Sequence, residues 1–253
     1  MEVAAPGHDW SDLTYGAEWS ARWERDFGWR PDTADAVDRL AELARGEAVL
    51  ELGVGTGRLA LPLAERGLAV HGVDSSPWML AQLRANDGGG RVTTSEADIA
   101  EGRFGGPFGL VVLASFTISA LADQTRQLDC VANAARHLSA DGAFVVEAMA
   151  PRSEAIATGS VRAVRVDADK AVLHLTAPAD PLTNVASACH VYLHDGEAPR
   201  LRPIRSRHVW PAELDLMARL AGLTLVERWG GWDRRAFGAD CAKHVSVYGW
   251  TKP

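Results

Sequence analysis

Apolar positions along the first two thirds of the chain follow two alternating patterns. Short apolar runs alternate with segments in which apolar residues recur every three to four positions. The short runs predict strands at 48–52, 68–73, 91–95, 108–114 and 143–148. The helical period predicts helices at 33–45, 58–66, 77–84 and 124–138. Strands that alternate with helices at this spacing predict βαβ units and a parallel sheet buried on both faces.

A second pattern occupies about residues 160–210. Here apolar and polar residues alternate with period two, and turn residues separate the segments. This pattern predicts an antiparallel meander with strands at 161–166, 171–176, 186–194 and 204–210. Helical periodicity returns at 211–221, and two closing strands are predicted at 223–229 and 245–250. The meander is therefore expected as an insertion in an α/β domain.

Aromatic residues are concentrated near the start of the chain, where residues 10–30 carry four tryptophans. On a helix, Tyr15, Trp19 and Trp23 fall on one face because they are four residues apart. A stripe that faces the core and a lid over a ligand both fit this pattern. We therefore expect three parts: an aromatic helical lid at 1–31, an α/β domain at 32–150 and 211–253, and a cap at 151–210.

Composition and charge limit the classes of partner and the kinds of site that we expect. The 253 residues are 47% hydrophobic, and the net charge of -7 argues against nucleic acid or an anionic membrane as the main partner. Cys130, Cys189 and Cys241 form no C-x-x-C pair, so we expect reduced thiols, no disulfide framework and no metal. Neither a signal peptide nor an apolar run of membrane-spanning length is present, which favours a cytoplasmic protein.

The most informative local feature follows the first strand of the α/β region. Gly53, Gly55 and Gly57 form a G-x-G-x-G loop between the predicted strand at 48–52 and a helix. Such a loop turns tightly and lets a ligand approach the backbone. Dinucleotide-binding proteins carry G-x-G-x-x-G instead, and Arg58 stands where their third glycine would be.

Two acidic residues near this loop indicate which chemical groups the ligand carries. Glu51 lies two residues before Gly53, where an anion would repel a pyrophosphate and would suit an ammonium group. Asp74 ends the second strand, where a carboxylate can accept hydrogen bonds from both hydroxyls of a ribose. Ribose together with ammonium fits S-adenosylmethionine better than NAD.

Four segments carry a family resemblance. VLELGVGTGR at 49–58 resembles the first motif of class I S-adenosylmethionine-dependent methyltransferases, and HGVDSSPWML at 71–80 resembles their second-strand segment. ADI at 97–99 is similar to their third-strand motif, and VLASFT at 112–117 to the end of their fourth strand. The matches occur in order across about residues 35–150. The chain looks most like bacterial small-molecule enzymes that have a β-meander before the last strands.

The resemblance implies a Rossmann-like sheet, mostly parallel with an antiparallel last strand, and an antiparallel β-meander lid. The implied cofactor-binding residues are Tyr15, Glu51, Gly53, Gly55, Gly57, Asp74, Ser75, Met79, Asp98, Ile99 and Ser115. Asp98 would meet the adenine amino group, and Met79 would pack on adenine unless it is a core residue. Tyr15 would cover the cofactor, although Gly16 replaces the aspartate usual after that tyrosine. Ser115 would lie beside the methyl group unless it is an ordinary loop serine.

Acceptor chemistry is expected in the meander. His190 shares one strand face with Ala188 and Tyr192, and His208 shares a face with Ser206. A histidine that points into a pocket can take a proton from an acceptor because its pKa lies near neutrality. His190 and His208 are therefore candidate catalytic residues, and solvent-facing histidines are the alternative.

The predicted activity is methyl transfer from S-adenosylmethionine to an oxygen, nitrogen or carbon atom of a small organic acceptor, in specialised metabolism. The products include S-adenosylhomocysteine, and the protein is expected to be a monomer or homodimer. Alternatives are an NAD-dependent oxidoreductase on the same fold and an inactive cofactor-binding partner. Nucleic-acid methylation is disfavoured because SFTI, at 115–118, replaces the Asn/Asp-Pro-Pro-aromatic tetrad.

Overall fold

The computed structural model describes residues 14–27, 30–151 and 157–251. Helices are α1 (Ala17–Phe27), α2 (Thr33–Ala44), α3 (Ala60–Glu65), α4 (Pro77–Asn86), α5 (Thr117–Ala120), α6 (Gln124–His137) and α7 (Pro211–Leu220). Strands are β1 (Val49–Leu52), β2 (Val70–Asp74), β3 (Val92–Glu96), β4 (Phe108–Leu113), β5 (Leu138–Met149), β6 (Ser160–Val166), β7 (Lys170–Thr176), β8 (Val185–His194), β9 (Arg200–Arg207), β10 (Leu223–Trp229) and β11 (Lys243–Trp250). Of the four N-terminal tryptophans, Trp10 and Trp29 lie outside the described residues.

Seven strands form one sheet in the order β10-β11-β5-β4-β1-β2-β3. Strands β1 to β5 are mutually parallel where they pair, whereas β11 is antiparallel to both β5 and β10. This arrangement confirms the predicted mostly parallel sheet with an antiparallel last strand. The strand order reverses between β1 and β4, which is where open α/β sheets bind their ligands.

The core lies on both faces of this sheet. Leu50 and Leu52 of β1 point to a cluster that includes α6 and α7, and Val49 points to a cluster that includes α2, α3 and α4. All four residues of β1 and all six of β4 are buried, which explains why both segments read as continuous apolar runs. The packing on two faces fixes the ends of these strands in place.

The second sheet is an antiparallel meander in the order β6-β7-β8-β9. Trp19 of α1 packs against Tyr192 of β8, with ring centroids 5.0 Å apart. The prediction for the last meander strand was wrong at both ends, because β9 spans Arg200–Arg207 and not 204–210. His208 and Trp210 therefore do not share a strand face with Ser206. No helix within the described ranges is long and apolar enough to cross a membrane.

Candidate active site

The glycine loop lies at the carboxyl edge of the sheet, and its three glycines differ in what surrounds them. All three have positive φ, a conformation that side-chain-bearing residues rarely adopt. A Cβ on Gly53 would lie 2.5 Å from the Thr117 side chain, and one on Gly57 would lie 2.9 Å from Leu61. A Cβ on Gly55 would meet no described atom within 4 Å. Gly53 and Gly57 are therefore required by internal packing, whereas Gly55 faces open space.

Asp74 is held beside this open space by the backbone. The Gly55 N–H donates to Oδ2 and the Ser76 N–H to Oδ1, each at 2.9 Å. Burial raises the pKa of the carboxyl, and the hydrogen bonds from the backbone of Ser76, Gly55 and Ser75 oppose that shift. Each carboxylate oxygen retains acceptor capacity, so the group is positioned to receive two further donors.

Glu51 is the second acid at this edge. The residue is 5% exposed, and Oε2 has no hydrogen-bond partner among the described residues. Burial raises the pKa of the carboxyl to about 8, although the Arg58 charge and the Ala60 backbone N–H favour the ionised form. An unpaired buried carboxyl is costly, and a cation placed against Oε2 would remove that cost.

Tyr15 lies above the end of β2. Ser76 Oγ donates to the Tyr15 carbonyl at 2.7 Å, and Ser76 also caps α4 by accepting from the Met79 N–H. Burial raises the pKa of the Tyr15 hydroxyl, with Arg202 opposing the shift and Asp74 adding to it. Tyr15 precedes the bend at Gly16, so it lies just outside helix α1. Tyr15 therefore lies close to both Asp74 and Arg202 of the meander.

The segment after β3 contains Asp98 and Ile99. Asp98 forms an ion pair with Arg126, and its Oδ1 accepts from the Ala100 N–H at 2.8 Å. Its side chain is about half exposed. Ile99 is buried, and its carbonyl accepts from Asn133. The Asp98 carboxylate is thus already committed to a cation, and an adenine amino group would have to share it.

Residues after β2 differ in exposure. Ser75 is exposed, whereas Met79 on the first turns of α4 is 1% exposed. Met79 packs inside the protein in this conformation, as the core alternative anticipated. Contact between Met79 and adenine stays a prediction.

Ser115 follows β4 with a left-handed backbone, and Phe116 shares that conformation. The Ser115 N–H donates to Glu147 Oε2 at 2.8 Å, and its hydroxyl accepts from Arg58 at 3.0 Å. Trp232 Nε1 and Lys243 Nζ lie 3.0 and 2.7 Å from the other oxygen, Glu147 Oε1. A buried carboxylate at the end of β5 therefore fixes the strained turn after β4.

Glu147 was not predicted as a site residue. Its signal was present, since it is the one charged residue in the apolar segment 143–149. A charge in a strand buried on both faces needs partners, and here those partners come from Arg58, Lys243 and Trp232. Trp229 and Trp232 are both buried in the core.

The meander presents His190 toward the N-terminal segment. One ring nitrogen of His190 lies 3.0 Å from a ring nitrogen of His174 on β7. Burial and then the neighbouring His174 and Arg202 lower the pKa of His190 to about 3. His190 is therefore neutral at physiological pH and weakly basic.

His208 follows the end of β9. It is buried, burial lowers its pKa, and its Nδ1 has no hydrogen-bond partner within the part of the chain that is described. Its backbone N–H donates to the Asn184 carbonyl at 3.0 Å. β9 packs against α5, which begins two residues after Ser115. His208 thus directly follows a strand that contacts α5.

Comparisons with known proteins agree with this geometry. A methyltransferase domain model matches residues 49–142. A cypemycin N-terminal methyltransferase from a Streptomyces species is 30% identical over 184 residues, which cover 72% of this chain and 74% of that protein. The chain belongs to the class I S-adenosylmethionine-dependent methyltransferases.

Solved structures share the fold of this methyltransferase. The CcbJ methyltransferase from Streptomyces caelestis superposes with a TM-score of 0.87 at 37% identity, covering 97% of this chain and 100% of that one. The S-adenosylmethionine-bound amino pentose methyltransferase CalS10 from Micromonospora echinaspora has a TM-score of 0.70 at 21% identity, with coverage of 97% and 100%. As a member of the family, the enzyme uses S-adenosylmethionine, and the NAD-dependent alternative is set aside.

The carboxyl edge of the methyltransferase fits this cofactor chemically. The unpartnered Oε2 of Glu51 matches an ammonium group, and the fixed Asp74 carboxylate matches a pair of hydroxyls. The open space at Gly55 lies between them along the loop.

Proposed function

We propose that this methyltransferase transfers a methyl group to an amine nitrogen of a small organic acceptor of specialised metabolism. The observation that carries the cofactor half of this proposal is the buried Glu51 oxygen without a partner, beside a backbone-held Asp74. The amine is suggested by the cypemycin N-terminal methyltransferase, whose name places its acceptor at a peptide N-terminus.

The residue roles follow from the chemistry of each group. Glu51 pairs with the ammonium of the cofactor, and Asp74 accepts from both ribose hydroxyls. The adenine contacts are assigned to Asp98, Ile99 and Met79, and the remaining cofactor contacts to Tyr15, Gly53, Gly55, Gly57, Ser75 and Ser115. Tyr15 covers the cofactor because the Ser76 hydroxyl holds its backbone above the end of β2.

S-adenosylmethionine supplies an electrophilic methyl group on a good leaving group. The chain positions an acceptor in line with that carbon and excludes water. The amine lone pair forms the new N–C bond, the S–C bond breaks with its electrons left on sulfur, and the methylated ammonium loses a proton to solvent. Ser115, fixed by Glu147, borders the transfer path.

The two candidate histidines take different roles. Since the pKa of His190 is about 3, we assign it acceptor binding and not proton removal. His208 stays the candidate proton acceptor, because its buried Nδ1 has no described partner. An amine that binds in its neutral form needs neither histidine to remove a proton before methyl transfer.

The test is formation of S-adenosylhomocysteine with a panel of amines, phenols, alcohols and carbon acids, with an acceptor-free reaction as the blank. We expect turnover with members of the amine set. Turnover confined to phenols, alcohols or carbon acids would overturn the choice of nitrogen. His208→Gln, compared with His194→Gln at the half-buried end of β8, tests whether His208 contributes to turnover at lower pH.

A further inference from the structure

Four basic side chains form a row across the meander. The strand register places Arg162 of β6 opposite His174, His174 opposite His190, and His190 opposite Arg202 of β9. Directly opposed residues in an antiparallel sheet point to the same face, with Cβ atoms about 5 Å apart. We call these four residues the basic row.

The basic row lies on the face that meets the N-terminal segment. Tyr192, two residues after His190 and on the same face, packs against Trp19 of α1. The Arg202 guanidinium lies 5.4 Å from the Tyr15 ring centroid and 4.8 Å from that of Trp23. Arg202 is 3% exposed, whereas Arg162 at the other end is exposed. The row therefore runs from solvent to the segment above Asp74.

Positive groups dominate the surroundings of the row. Arg162 and Arg202 flank the two histidines, and Arg30 acts on His190 from the start of α2. The Asp74 carboxylate and the Arg202 guanidinium both act electrostatically on the Tyr15 hydroxyl, beside the row. Like charges placed opposite each other on a sheet are destabilising, and burial lowers the pKa of both His174 and His190, which limits that repulsion.

Protection of a sheet edge explains part of this pattern. A charged residue on an edge strand such as β6 discourages pairing with other chains, which accounts for Arg162 alone. It does not account for two adjacent histidines and a buried arginine in the same row. Neutral imidazoles can donate hydrogen bonds, and guanidinium groups bind carboxylates through two parallel hydrogen bonds.

We infer that the basic row binds a carboxylate of the acceptor, so that the substrate class is an amine that also carries a carboxylate. This inference rests on the proposed function. The carboxylate is held on the meander while the amine reaches the carboxyl edge of the sheet, where Ser115 and Glu51 lie. Selectivity for the acceptor then resides in residues 162, 174, 190 and 202.

Matched acceptor pairs test the inference. Each pair consists of an amine that carries a carboxylate and the same amine with a carboxamide in its place. One such pair is alanyl-alanine and its C-terminal amide. We expect kcat/KM for the carboxylate to exceed that for the amide at least about tenfold, mainly through KM. Arg162→Gln should reduce that preference toward unity. Arg205→Gln removes the same charge from the opposite, exposed face of β9 and should leave the preference unchanged.

A binding measurement separates this inference from the proposed function. In the S-adenosylhomocysteine complex, the ring resonances of His174 and His190 are followed by NMR while alanyl-alanine or its amide is added. Saturable shifts with the dipeptide and not with its amide support carboxylate binding by the basic row. Equal shifts with both compounds, or no shift with the dipeptide, overturn carboxylate binding by the row even if amines are methylated. Absence of turnover with every amine overturns the proposed function, while the ring shifts still report on the row.

Discussion

The carboxyl edge of the large sheet and the inner face of the meander are built in opposite ways. At the edge, Glu51, Gly55 and Asp74 lie within 24 residues of one another, and backbone N–H groups fix the Asp74 carboxylate. On the meander, the four residues of the basic row come from four strands and are placed by register alone. The proposed cofactor contacts are therefore encoded by local sequence, whereas the proposed acceptor contacts depend on pairing between distant segments.

The two regions also differ in how they are held. β1 and β4 are buried on both faces, while every residue of β6 is exposed. The proposed cofactor site is therefore supported by the core. The proposed acceptor site lies on a sheet whose edge strand β6 is exposed.

Replacement of Asp74 should have the largest effect on the cofactor edge. Asp74→Ala removes the acceptor of two backbone donors and both ribose contacts, so S-adenosylmethionine affinity should fall at least a hundredfold, about 3 kcal/mol. Calorimetric titration measures it. Asp141→Ala, an exposed acid near the start of β5, is the matched control and should bind normally. Normal affinity in the Asp74 variant would contradict the assignment.

Stability should separate the two sheets. Leu110→Ala in the buried β4 should lower the free energy of unfolding by about 2–5 kcal/mol, because it leaves a cavity. Val161→Ala on β6, where the side chain is 74% exposed, should change it by less than about 0.5 kcal/mol. Denaturant unfolding measures both. Similar losses in the two variants would show that β6 is covered in solution.

Glu147 tests whether the turn after β4 needs its buried support. Glu147→Gln keeps one carbonyl acceptor but loses the charge that faces Lys243 and Arg58. We expect kcat to fall about tenfold while S-adenosylmethionine affinity changes little, since the turn positions the acceptor side of the site. Glu147→Ala should reduce kcat further. Equal loss of cofactor affinity in both variants would identify Glu147 as a structural residue only.

Tyr15 joins the two regions, and its hydroxyl should have the smallest effect. Tyr15→Phe keeps the ring beside Arg202 and loses the hydroxyl, so cofactor affinity should drop about two- to fivefold. Trp23→Phe changes the neighbouring ring, 5.8 Å away, and serves as the control. A loss larger than that of Asp74→Ala would mean that the lid, and not the sheet edge, holds the cofactor.

Sequence patterns predicted the large sheet and the acids at its edge because their information is local. Gly53, Gly55 and Gly57 were predicted as space for a ligand. An added Cβ would meet open space only at Gly55, and the packing of Gly53 against Thr117 and of Gly57 against Leu61 was not visible in the sequence. The pattern at 204–210 gave the wrong bounds for β9, because alternation continues past Arg207, where pairing with β8 ends. Glu147 and the basic row could not be predicted, because their partners lie far away along the chain.

The most direct test of the account is the pH dependence of S-adenosylmethionine binding. With the pKa of Glu51 at about 8, the free protein holds a protonated carboxyl at pH 6, and binding an ammonium requires that proton to leave. The measurement stops near pH 7.5, because the α-amino group of the cofactor has a pKa of about 8 and loses its own charge above that pH. Affinity measured by calorimetry should therefore rise about tenfold or more from pH 6 to pH 7.5 in the unaltered enzyme. In Glu51→Gln it should be weaker and independent of pH over that range. A flat profile in the unaltered enzyme, or the same rise in Glu51→Gln, would contradict the assignment of Glu51 to the cofactor ammonium.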